Sequence, residues 1–204
     1  MKKFLAALAV AAAFAVAPAM AEVTIGQPAP NHTFKDINGV EHSIAGFKGK
    51  TVVLEWTNPG CPFVQKFYKG GDMQKFQAET LVDTDVVWIA VNSSADGKEG
   101  SFASDEEAKK AVTEAGFKGT AYVRDPSGAF GKLYGAKTTP HMFVIDDKGN
   151  VAYAGAYDSI KSADAADIAK AENYVDSALN ALAAGATPDT TSTEPYGCGV
   201  KYAD

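Results

Sequence analysis

The sequence has 204 residues, with 19 Lys and Arg against 25 Asp and Glu and a formal net charge of −6. That length suits one domain with short additions, and the acidic balance argues against nucleic acid or an anionic membrane as partner. Only two cysteines occur, Cys61 and Cys198. They are too few for a disulfide framework but enough for one redox couple or one structural staple.

The chain opens with Lys2-Lys3, an apolar run from Phe4 to Val16 and the small-x-small pattern Ala19-Met20-Ala21. This reads as a secretory signal over residues 1–21. The run is too short to span a membrane, and no cysteine follows it to carry a lipid. A periplasmic or secreted product without a membrane anchor is expected, with one domain over residues 22–185 and a flexible tail over 186–204.

Thr33-Phe34-Lys35 and Glu41-His42-Ser43-Ile44 flank Asn38-Gly39, which predicts a hairpin with a two-residue turn. Thr51-Val52-Val53-Leu54 is a continuous apolar run, rich in β-branched residues, and predicts a buried strand. Asn58-Pro59-Gly60 is a turn signal, and a helical pattern follows from Cys61 to about Leu81. Cys61 therefore sits where a strand hands over to a helix. Pro62 suits the first helical position, where its missing N–H needs no partner. Free backbone N–H groups and the positive end of the helix dipole there favour a thiolate.

Asp85 to Val91 predicts a second buried strand, and Asn92 to Phe102 a polar loop. Ser104 with Glu107 fits a capping box opening a helix that Gly116 ends. A short strand at Ala121-Tyr122-Val123 and a helical turn from Phe130 to Tyr134 come next. His141 to Ile145 is an apolar strand, with Pro140 at its head, where proline is tolerated. Asp147-Lys148-Gly149 turns it back into Val151 to Ala156. An amphipathic helix is predicted over Asp167 to Ala184, ended by Gly185. Strands alternating with helices and then an antiparallel pair imply an α/β fold, a mixed sheet with helices on both faces.

The hairpin, the strand–Cys61–helix unit and Thr138-Thr139-Pro140 ahead of a strand together resemble the thioredoxin fold. Within it, the chain is similar to the redoxin branch of peroxiredoxins and periplasmic thiol-disulfide proteins. The stretch Trp56 to Lys66, with Pro195-Tyr196-Gly197-Cys198, looks most like exported peroxiredoxin-like proteins. The resemblance implies a three-layer sandwich, a cis Thr139–Pro140 bond against Cys61, and a thiol-dependent oxidoreductase or antioxidant. The implied partners are a thiol, disulfide or hydroperoxide substrate and a thiol reductant. It also gives Glu55 a role, because a buried acid six residues ahead of the first cysteine moves protons on and off the thiols in thioredoxins. The alternative for Glu55 is an ordinary strand-end side chain, solvated or paired with Lys50.

This chain departs from its relatives at three places. Val64 stands where thioredoxins carry their second cysteine. Asn58 stands three residues before Cys61, where peroxiredoxins have Thr or Ser. The one arginine is Arg124, and Lys137 precedes Thr138-Thr139-Pro140. With Val64 in place, a redox cycle needs a sulfur from elsewhere, and Cys198 is the other one. The alternative is a Cys198 that stays free or pairs between chains.

His141 beside Cys61 would suggest thiolate activation or copper binding, but one local cysteine falls short of a copper site, so no metal or cofactor is expected. Lys66 and Lys69 read as a solvated helix face, and His32 and His42 as exposed. The site residues assigned from sequence are Cys61, Cys198, Glu55, Thr139 and Pro140. The competing function is a binding or assembly module that kept the fold without the chemistry.

Overall fold

The computed structural model describes residues 23–203, and the leader assigned to 1–21 lies outside them. Strands β1 (Thr33–Lys35) and β2 (Glu41–Ser43) form the N-terminal hairpin. Its turn is longer than two residues. The Asp36 carboxylate accepts from the N–H groups of Asn38 and Val40, so an Asx-type loop closes it, with Gly39 at φ +80°.

The central sheet has five strands: β3 (Thr51–Trp56), β4 (Val86–Asn92), β5 (Ala121–Arg124), β7 (His141–Ile145) and β8 (Val151–Gly155). Their order is β5-β4-β3-β7-β8, parallel from β5 to β3 and antiparallel from β3 to β8. Strand β3 lies in the middle, which is why its sequence is apolar without alternation. Its side chains still divide by pleat. Val52, Leu54 and Trp56 face the hairpin and helix α4 (Ala129–Tyr134). Val53 faces helices α1 (Pro62–Tyr68), α2 (Asp72–Thr80) and α5 (Tyr174–Ala183). Helix α3 (Asp105–Glu114) covers Ala90 and Tyr122 toward the β5 edge. Trp56 is fully buried and meets Phe130 and Phe143 edge-on at 5.3 Å each. Such pairs add about 0.5–1.5 kcal/mol beyond area burial. The three-layer α/β sandwich implied by the resemblance is thus present.

Two helices are shorter than their periodicity predicts. The helix after Cys61 breaks at Gly70-Gly71, and Gly71 adopts φ +87° to start α2 on a new axis. The segment from Ala165 to Lys170 is a 3₁₀ turn, and α5 begins only where the Asn173 side chain accepts from Val175 and Asp176 N–H. Ser104 caps α3 through the Glu107 N–H as predicted, but the Glu107 carboxylate reaches Ala103 N–H, one residue ahead of the capping-box target.

Residues 186–203 do not stand off as a free arm. Thr193 N–H donates to Ala154 O, and the Thr193 hydroxyl meets Tyr153 Oη at 2.6 Å and Ala156 N–H at 2.9 Å. Further on, β9 (Cys198–Gly199) pairs antiparallel with β6 (Thr138–Thr139). Among the described residues no helix is long and apolar enough to cross a membrane.

Candidate functional site

The site forms at the carboxyl end of β3, where the chain must turn from strand to helix. Asn58 fixes that turn. Its side-chain oxygen accepts from Gly60 N–H at 2.7 Å, and its amide donates to Glu99 O at 2.9 Å and Ser94 Oγ at 3.2 Å. Cys61 N–H in turn donates to Asn58 O. Where peroxiredoxins place a hydroxyl, this chain therefore places the brace of the cysteine loop. Cys61 is the N-cap of α1 with Pro62 next, as the sequence predicts, and its side chain makes no capping bond.

Cys61 is only 1% exposed, and its thiol donates to Thr139 O at 3.0 Å. The Thr139–Pro140 peptide is cis. On the other side of Thr139 lies the tail, with Cys198 opposite Thr139 in the β6–β9 register. Burial works against a Cys61 thiolate. Hydrogen bonds from Cys198, through both its side chain and its backbone, and from the Thr139 side chain outweigh it and hold the thiol below its ordinary value. Burial and the neighbouring Cys61 sulfur push Cys198 up to about 11. The two thiols are thus shifted in opposite directions, Cys61 down and Cys198 up.

The backbone edge of Thr138-Thr139, which the resemblance offers to substrates, is taken by the chain's own Cys198-Gly199. Gly197 makes this approach possible. It has φ +135°, and a Cβ there would fall within contact distance of the Thr139 carbonyl, 2.8 Å from its carbon.

Glu55 is completely buried in a cradle of hydrogen-bond donors. Its carboxylate accepts from Trp88 Nε1 at 2.9 Å, from Tyr68 Oη at 2.9 and 3.0 Å and from Gln77 Nε2 at 3.3 Å. Burial raises its pKa despite these donors. No hydrogen bond joins Glu55 to Cys61 among the described residues, and Lys50 turns to Thr84 O instead. His141 is likewise not bonded to Cys61. It accepts from Lys137 N–H, meets the Phe143 ring at a tilt with centroids 4.5 Å apart, and is held neutral by burial and by Lys137, with a pKa of about 3. Among the described residues no His, Cys, Asp and Glu cluster could hold a metal. Arg124 is tied to Asp105 and Phe102 O, not to the cysteine.

Sequence reasoning missed Asn58, Gly197 and Lys66. Lys66 is not on a solvated face, since its side chain has no exposure and pairs with Asp158. Helix spacing gives no signal of this, because residues one and two apart do not share a face; the carboxylate that draws Lys66 inward lies far along the chain. His32 and His42 are half-buried, and His42 bonds Asp36.

A family model described as Redoxin matches residues 24–174, well over half of the chain. The chain belongs to the Redoxin family. A hypothetical protein from Sinorhizobium meliloti is similar in structure, with a TM-score of 0.71 and 25% identity over 89% of this chain and 96% of that one. An uncharacterized conserved protein from Geobacillus kaustophilus has a TM-score of 0.73 and 21% identity over 90% and 94%. No curated protein matches the sequence.

Proposed function

We propose that this redoxin is an exported thiol-dependent oxidoreductase, peroxiredoxin-like, that cycles between a Cys61–Cys198 dithiol and its disulfide. The observation that carries the reading is the apposition of Cys198 to Cys61 across Thr139, with opposite shifts of the two thiols. The Cys61 thiolate attacks a substrate disulfide, forming a mixed disulfide and expelling one substrate thiolate. Cys198 then gives up its proton and attacks the Cys61 sulfur. The intramolecular disulfide forms and the second substrate thiol leaves. With a hydroperoxide, Cys61 takes one oxygen to become the sulfenic acid and the alcohol departs, and Cys198 closes the same bond with loss of water. An external thiol reductant restores the dithiol, taking up the disulfide as its own oxidised form. Because Cys61 is covered, the segment around Cys198 lifts to admit substrate. The leader assigned from sequence supports a compartment where disulfides persist.

Peptide mass mapping under non-reducing conditions tests this. The expected product of oxidation is an intramolecular Cys61–Cys198 peptide pair, and Cys61→Ser should abolish turnover of peroxide, insulin or glutathione disulfide. Two alkylatable thiols after oxidation, or full turnover by Cys61→Ser, would refute it. The burial of Cys61 favours one competitor, a binding or assembly module whose thiol never meets a substrate. That reading requires a Cys61 that alkylates only near the ordinary thiol pKa of about 8.5.

A further inference from the structure

One buried charged cluster has no part in the chemistry above. Lys66 on α1 has no side-chain exposure, and its partner Asp158 has 3%. Lys66 Nζ donates to Asp158 Oδ2 at 2.8 Å, to Ile160 O at 3.2 Å and to Tyr196 Oη at 3.4 Å, so each ammonium N–H has an acceptor. The Tyr196 hydroxyl donates to the other Asp158 oxygen, which also accepts from Ile160 N–H. The Tyr196 ring meets Phe63 edge-on, with centroids 5.8 Å apart.

A buried ion pair contributes little net stability, because desolvation offsets much of its attraction. Its best-attested use is to fix register. Here the register at stake is specific. Phe63 and Lys66 lie on the helix that begins directly after Cys61, and Tyr196 lies two residues ahead of Cys198. The cluster therefore joins the element carrying one sulfur to the segment carrying the other. Only Gly197 separates it from Cys198, and Gly197 is already packed on the Thr139 carbonyl.

We infer that Lys66, Asp158 and Tyr196 form a latch that holds Cys198 against Cys61 and so sets how readily their disulfide forms, with Tyr196 as the positioning residue. The inference rests on the reading of the two cysteines as a redox couple. Removing the Tyr196 hydroxyl leaves the ring packed but frees the segment, and the effective concentration of Cys198 at Cys61 falls.

The test is equilibration of the full chain with reduced and oxidised glutathione. In that exchange the two thiols lose two electrons and two protons to glutathione disulfide, giving the intramolecular disulfide and two glutathione thiols. Tyr196→Phe should lower the equilibrium constant about tenfold, as loss of a hydrogen bond to a charged group implies. That is a rise in potential of about 30 mV. Thr193→Val is the control. It cuts the tail's bonds to Tyr153 and Ala156 further upstream, and should leave the constant within about twofold, since distant sites act independently. If Thr193→Val lowers the constant as much as Tyr196→Phe, any tail contact suffices and the latch is refuted. An unchanged constant in Tyr196→Phe refutes the latch and leaves the couple standing. If the wild-type chain forms no intramolecular disulfide at any glutathione ratio, the couple fails and the latch fails with it.

Discussion

Gly197→Ala should release the C-terminal segment from Cys61 without unfolding the domain. Gly197 has φ +135°, a region nearly closed to side chains, which costs an alanine about 1–3 kcal/mol. The added Cβ also lies 2.8 Å from the Thr139 carbonyl carbon and closer still to its oxygen, so backbone must move. Overpacking of that kind costs about 1–3 kcal/mol more. Against this stand the β6–β9 pairing and the Val200 N–H bond to Lys137 O at 3.1 Å. Backbone hydrogen bonds contribute about 0.5–1.5 kcal/mol each. The strain therefore matches or exceeds the seat from Cys198 onward, and that stretch lets go while Tyr196 stays bonded to Asp158. A shift of about 3 kcal/mol toward the open form corresponds to roughly a hundredfold in its population. Since Cys61 is 1% exposed when covered, its alkylation by iodoacetamide should accelerate by about that factor, provided reaction goes through the open form. The measurement is made in a Cys198→Ser background, so that Cys61 alone reacts, with urea unfolding as the check on the domain. A Cys61 rate within about threefold of the background variant, well short of that shift, would refute the claim that Gly197 seats the segment.

Three further outcomes follow from the same geometry. Cys198→Ala removes the side-chain hydrogen bond that helps hold the Cys61 thiol low, so the alkylation profile of Cys61 should move to higher pH; an unmoved profile contradicts the assignment. Glu55 has its folded pKa raised by burial. Its stabilising effect is complete below the unfolded value of about 4.3 and is lost as pH rises through the folded one. Glu55→Gln should thus gain stability relative to wild type as pH rises across that window in urea titrations, and parallel curves would exclude the mechanism. Lys66→Met strands the Asp158 carboxylate in the interior and should cost about 3–5 kcal/mol. Lys66→Met/Asp158→Asn should recover much of that loss, and a single-variant cost under about 1 kcal/mol, the range of a surface pair, would show that the cluster is solvated after all.

Features that depend on near neighbours in the chain were legible without coordinates. The continuous apolar run of β3 declares a strand buried on both faces. Cys61-Pro62 after Asn58-Pro59-Gly60 declares a helix start, and Ser104 declares a cap. Each rests on backbone sterics or on a donor within a few residues. The helix breaks were harder, because the Gly70-Gly71 interruption competes with a periodicity that runs on past it. What the tertiary structure alone decided involves partners far apart in sequence. Lys66 is buried because Asp158 waits 92 residues later. Glu55 is fixed in the interior because Trp88, Tyr68 and Gln77 converge on it from β4, α1 and α2. The segment after Gly185, rich in Thr and Pro and without periodicity, reads as a free arm. It docks because anchors such as Thr193, Tyr196 and Cys198 each meet a polar partner or a strand edge that the folded domain alone provides.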